Sequence, residues 1–179
     1  VRPDVCLPQT YLHGRLHYFS NRLTIETGLH SHLHINRELT MENAQAIPTG
    51  FKPHTRRSGL TDPWEPIYAA SDDTTFCLGL LADAPHVNSR GFVHGGLLSA
   101  LADNAMGLSC ARQLENIGGL VTVSMTIDFL GTAHVGHWVE VRATPSRVGK
   151  SLCFADATIY SNDQLCATAK AVFKVQPLK

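Results

Sequence analysis

Gly91-Phe92-Val93-His94-Gly95-Gly96-Leu97, continuing through Leu98-Ser99-Ala100-Leu101-Ala102-Asp103-Asn104-Ala105-Met106-Gly107-Leu108-Ser109-Cys110-Ala111, is the stretch on which the fold turns. Asp103 is its only formally charged residue. A run so poor in charge resembles a membrane span, but it carries His94, Asp103, Asn104 and four glycines. An aspartate near the centre of a span costs about 3 kcal/mol. A buried helix from about Gly95 to Leu114 is the better reading. Its small residues, among them Ser99, Ala102, Ala105 and Gly107, let other backbone approach closely. Gly118-Gly119 is expected to end the helical region. Apolar on nearly all sides, this helix needs something large wrapped around it.

Strands on both sides can supply the wrapping. Before the helix, Ile67–Ala70 and Thr75–Ala82 flank the polar Ser71-Asp72-Asp73-Thr74, a hairpin pattern. After it, Val121, Val123, Met125, Ile127 and Phe129 alternate with polar residues within Leu120–Leu130. Trp138–Ala143, Ser151–Tyr160 and Leu165–Val175 follow, separated by turns at Arg147-Val148-Gly149-Lys150 and Ser161-Asn162-Asp163-Gln164. Trp138, Phe154 and Phe173 are read as core residues. One helix followed by an antiparallel meander, with strands before the helix, is an α+β plan.

The remaining chain is less informative. Residues 1–40 hold half of the histidines and no sustained period, and are expected to be a disordered or non-native leader, with Met41 as the natural start. The alternation of His30, His32 and His34 could put three imidazoles on one strand face, but no carboxylate or cysteine pattern completes a metal site there. Residues 41–57 read as an extended, proline-punctuated arm, 58–176 as the domain and 177–179 as a tail.

Composition narrows the function classes. The chain has 179 residues, with Lys+Arg and Asp+Glu at 15 each, so nothing in the bulk charge draws it to nucleic acid or an acidic membrane surface. Five cysteines, Cys6, Cys77, Cys110, Cys153 and Cys166, show no CxxC spacing and read as free thiols in a reducing, cytoplasmic compartment.

The chemistry gathers in Asn88-x5-His94-Gly95-Gly96-x6-Asp103, with Thr122 on the next strand. Glycines where a loop becomes a helix let a ligand approach the backbone, and free N–H groups there favour a polarised carbonyl. Asn88 can add an amide donor to the same oxygen. Asp103 sits in an apolar helix without a Lys or Arg one turn away, so its role is that of nucleophile or general base. Gly95 and Asp103 stand roughly 12 Å apart along a helix rising about 1.5 Å per residue. If both act on one ester or thioester, Asp103 comes from a second copy of the helix, which predicts a symmetric dimer with composite sites.

These residues resemble the PaaI-type branch of the hotdog-fold thioesterases. The resemblance rests on the Asn-HGG-Asp spacing, the strand through Asp128-Phe129-Leu130, the turn Arg147-x-Gly149-Lys150-Ser151 and the closing Ala169-x-Ala171-x-Phe173-x-Val175. It covers about Ser58 to Val175. It implies an antiparallel sheet wrapped around one helix, paired into dimers or tetramers, hydrolysing acyl-CoA thioesters without metal or bound cofactor. It further implies that Asn88 and the Gly95 N–H polarise the carbonyl, with Gly96 beside them. A partner's Asp103 would attack or activate water, Thr122 would orient that water, and His94 would order the helix start. Arg147, Gly149, Lys150 and Ser151 would contact the CoA moiety. Two other functions suit the same plan: a hotdog-type hydratase or dehydratase with His94 as base, and a non-catalytic acyl-ligand-binding module.

Overall fold

The computed structural model describes residues 47–178. The expectations for residues 1–40 and for Met41 lie outside the described residues. Within them the strands are β1 (Lys52–Pro53), β2 (Tyr68–Ser71), β3 (Phe76–Leu81), β4 (Ile117–Phe129), β5 (Trp138–Val148), β6 (Leu152–Ser161) and β7 (Gln164–Pro177), with one α-helix, α1 (Gly95–Ala111). The seven described strands form one antiparallel sheet in the order β1-β2-β3-β5-β6-β7-β4. This single helix on an antiparallel sheet is the hotdog arrangement.

Helix α1 buries Leu97, Leu98, Leu101, Ala102, Ala105, Met106, Ser109 and Cys110. The spacing is one broad stripe at helical period, and it faces the sheet. Opposite it stand Val139, Val141 and Ala143 of β5, Cys153, Ala155, Ala157 and Ile159 of β6, and Ala167, Ala169, Ala171 and Phe173 of β7, all buried. Alanines recur on this face because a helix and a sheet approach closely only where side chains are small. The wrapping is less complete than the composition suggested. Ser99, Ala100, Asp103, Asn104, Gly107 and Leu108 are only half-buried and form an open side of the helix.

Several sequence expectations are corrected. The helix ends at Ala111, not Leu114, and Asn116 takes a left-handed φ of 55° in the turn that follows. Gly118-Gly119 does not end the helix but lies inside β4, where the pairing with β7 shifts register. A Cβ at Gly118 would collide with the Pro177 carbonyl, so glycine permits that close pairing. Strand β4 is not the first strand of the meander. It lies beside β7 at the sheet edge, while β5 pairs with β3 in the interior. Strand β5 runs past Pro145, because that residue sits at a register shift where no ladder donor is required. Arg147 is therefore a strand residue, not part of the turn. Trp138 is buried, but on the face away from α1, under Phe51 and Tyr68. Phe154 also points away from α1 and is partly exposed, whereas Phe173 is core.

The correction that matters most concerns β4. Thr122 pairs with Phe173 and Ser124 with Val172, so Val123 is an extra residue at a bulge. Before the bulge, Leu120 packs on the core and Thr122 reaches α1. After it, Met125 and Ile127 pack on the core. A regular strand would send Thr122 and Met125 to opposite faces. The bulge puts both toward the helix and leaves Val121 and Val123 outside, 53% and 60% exposed.

Candidate active site

The site is built in two places along α1. At the first, His94 is the N-cap. Its Nδ1 accepts from the Gly96 N–H at 2.9 Å, and its carbonyl accepts from Leu97 (3.0 Å) and Leu98 (3.2 Å). The Leu98 bond is the first regular helical one; of the four N–H groups that a helix start leaves unpaired, Gly96 and Leu97 are satisfied by His94, and the N–H of His94 itself donates to the His86 carbonyl at 2.9 Å. The remaining one is the Gly95 N–H, which has no partner among the described residues. The Gly96 N–H, counted with Gly95 from the sequence, is committed to His94.

Asn88 stands in the loop just before. Its Oδ1 accepts from the Arg90 N–H (2.8 Å) and the Phe92 N–H (3.3 Å), and its backbone exchanges further bonds with Phe92 and Gly91. Through its oxygen, Asn88 is a turn residue. The side-chain Nδ2 has no partner among the described residues and stays available as a donor.

His86 fixes this loop to the helix start. It is buried, its carbonyl accepts the His94 N–H at 2.9 Å, and its Nδ1 accepts from the Asp83 N–H at 2.8 Å. Burial lowers its pKa below the usual histidine value, and the Trp64 backbone and Asp83 oppose this more weakly. Sequence reading missed His86. The signal was the Asp83-x-x-His86 spacing of a reciprocal cap.

The second place is two turns further along. Asp103, half-buried on the open side of α1, accepts at Oδ1 a 2.7 Å hydrogen bond from the Thr122 hydroxyl. Oδ2 is left for other work. Next to it, the Asn104 Nδ2 donates to the Ala100 carbonyl at 3.1 Å, so it does not compete for the carboxylate. The structure thus brings Asp103 to Thr122 and His94 to Gly95 and Gly96. It leaves the two groups eight residues apart on one helix.

The β5–β6 turn carries the remaining candidates. Gly149 donates to the Leu152 carbonyl at 3.0 Å, and a Cβ there would sit 2.8 Å from that oxygen, so the tight turn requires glycine. The Ser151 carbonyl accepts from Val175 at 2.9 Å. Arg147, Lys150 and Ser151 are exposed. Leu152 pairs with Lys174, the same residue that pairs with Val121, so this turn lies toward the Thr122 end of the sheet.

Residues 90–168 match the model of the thioesterase superfamily. A Pseudomonas aeruginosa protein named for a suspected esterase activity is 38% identical over 128 residues, which are 71% of this chain and 96% of that protein. The chain belongs to the thioesterase superfamily. Acyl-coenzyme A thioesterase 13 of Mus musculus is 28% identical over 95 residues, covering 52% of this chain and 65% of that one. A hypothetical thioesterase of Streptococcus pneumoniae solved with coenzyme A shares the fold, with a TM-score of 0.59 at 19% identity over 65% of this chain and 93% of that one. Superfamily membership makes thioester hydrolysis the reaction class, and an unpaired backbone donor with a hydroxyl-bound carboxylate is chemistry suited to it. No helix among the described residues is long and apolar enough to cross a membrane.

Proposed function

We propose that the chain is an acyl-CoA thioesterase working as a homodimer or tetramer with composite sites. The observation that carries this reading is the division of labour along α1. Among the described residues, the one N–H left free at its start is Gly95's, while its lone carboxylate, Asp103, eight residues further along, is held by Thr122. One thioester carbonyl does not span roughly 12 Å of helix. Two copies of α1 running antiparallel, open side to open side, would set the Gly95 of one beside the Asp103 of the other.

In that arrangement the Gly95 N–H and Asn88 Nδ2 donate to the thioester oxygen and stabilise the negative charge that develops there. Asp103 of the partner copy either takes a proton from a water that attacks the carbonyl carbon, or attacks that carbon itself to form an acyl anhydride that water then hydrolyses, releasing the acid and restoring the carboxylate. The C–S bond breaks, and CoA leaves as a thiolate that is then protonated. Thr122 holds the Asp103 carboxylate through Oδ1, so that Oδ2 faces the reacting atoms or the water. Lys150, with Arg147 and Ser151 beside it, contacts the phosphates of CoA. The naming of one relative for acyl-CoA hydrolysis and the coenzyme A in one fold neighbour support this ligand. No metal or bound cofactor enters the scheme. A cytoplasmic setting accords with four unpaired thiols, Cys77, Cys110, Cys153 and Cys166, among the described residues.

The alternative with His94 as a dehydratase base is disfavoured by its hydrogen bond. Nδ1 already accepts from Gly96, which puts the ring proton on Nε2 and leaves no lone pair to take a substrate proton. Free-thiol release from a panel of acyl-CoAs, by the wild type and Asp103→Asn, tests the proposal. Turnover in the wild type and its loss in the variant are expected. No turnover on any acyl chain, or full activity in the variant, overturns it.

A further inference from the structure

The strand that carries Thr122 reaches the other end of the site roughly 20 Å beyond its bulge, at a rise of about 3.3 Å per residue. Regular alternation after Met125 and Ile127 puts Phe129, the last residue of β4, on the helix-facing side. A Cβ placed on Gly95 would lie 3.1 Å from the Phe129 Cζ, so the ring tip rests against the glycine that carries the free N–H. The ring is nevertheless 52% exposed. The chain that continues from it returns to the same loop. His134 bridges to Phe92, and their rings meet edge-on at 5.1 Å. The unpaired donor is therefore bordered by aromatic carbon on the strand that supplies Thr122, and the chain beyond that strand is tied back to the loop that supplies Asn88.

We infer that Phe129 is a specificity-determining residue, whose exposed ring half is the surface on which the acyl carbons next to the thioester carbonyl lie. This rests on the reading of the Gly95 N–H as the carbonyl donor. If the carbonyl oxygen points at that N–H, the acyl group leaves it within reach of a ring already touching the Gly95 backbone. An acetyl group has only a methyl to set against the ring, whereas longer apolar chains cover more of it. The substrate class is therefore an acyl-CoA with an apolar acyl chain, in preference to acetyl-CoA. Glycine at 95 serves this too, because a Cβ there would press on the ring tip and require it to give by a few tenths of an ångström.

The test is kcat/KM for hexanoyl-CoA and acetyl-CoA with the wild type, Phe129→Ala and Phe129→Leu. The hexanoyl-to-acetyl ratio should fall about tenfold or more in the alanine variant, the order of discrimination a few apolar carbons provide. The leucine variant should fall between. An unchanged or increased ratio in both variants overturns the inference, and so does loss of activity on both substrates in both variants, which would make the ring generally required. A wild type that hydrolyses neither substrate nor any other acyl-CoA instead overturns the proposed function itself.

Discussion

The Thr122 hydroxyl donates a 2.7 Å hydrogen bond to Asp103 Oδ1, and a one-residue bulge at Val123 turns it that way. A hydrogen bond to a charged group is worth about 1.5–3 kcal/mol. Thr122→Val keeps the shape of the side chain and removes the donor. If the bond orients the reactive carboxylate, kcat should drop roughly ten- to hundredfold with little change in KM, and Thr122→Ser should retain most of the activity. Steady-state kinetics on one acyl-CoA read both parameters. An equal loss in the serine and valine variants would speak against the hydroxyl.

The composite site has a sharper test than oligomer size. Asn88→Asp keeps the Oδ1 acceptor that Arg90 and Phe92 bind but removes the Nδ2 donor. Asp103→Asn removes the carboxylate. Each variant alone should be nearly inactive. When the two are mixed with subunit exchange, half of the dimers are mixed, and each mixed dimer has one site with both groups intact. Activity should recover to about a quarter of wild type if sites form across a two-fold axis. Sites made within one chain would recover nothing, because every chain carries a lesion.

His94 caps α1 through its ring, and that role can be transferred. Asparagine and serine are strong N-caps, while alanine at such a position costs about 1 kcal/mol. His94→Asn should keep most of the thioesterase activity and the melting temperature, and His94→Ala should lower the latter. A base role for the imidazole predicts instead that both variants lose activity alike. Thermal melts paired with thiol-release rates separate the two.

Much of this site was legible because its parts are punctuated locally. The helix start is marked by His94-Gly95-Gly96, the helix interior by its small residues, and Asp103 by being the only charge within it. Thr122 could be singled out but not oriented. Period-2 alternation through Val121, Val123 and Met125 put it on the face opposite Met125, and the bulge that reverses this has no signature in the residues themselves. The same alternation placed Phe129 on the face of Met125 and Ile127, where the structure has it, but did not separate its exposed ring from theirs. The place of β4 beside β7 was hidden for another reason. Antiparallel edge pairing is chosen by tertiary packing around α1, and no turn sequence between β4 and β5 encodes it.

His86 gives the fold a dependence on acid. Burial lowers its pKa in the folded state, so the unfolded chain binds this proton more readily than the folded one. Above the unfolded value of about 6.5 both states hold it neutral, and it contributes no pH dependence. As pH falls through 6.5 toward the lowered folded value, the unfolded state gains the proton first and stability declines. Protonation also removes the Nδ1 lone pair that accepts from Asp83, loosening the loop whose carbonyl holds His94. His54, lowered by burial in the same direction, adds to the slope. His86→Gln cannot take up a proton, so it should be less stable than the wild type near pH 8 but show a flatter decline between pH 6.5 and 5. Urea midpoints across that range read the difference, and parallel slopes in the two proteins would remove His86 from the acid response.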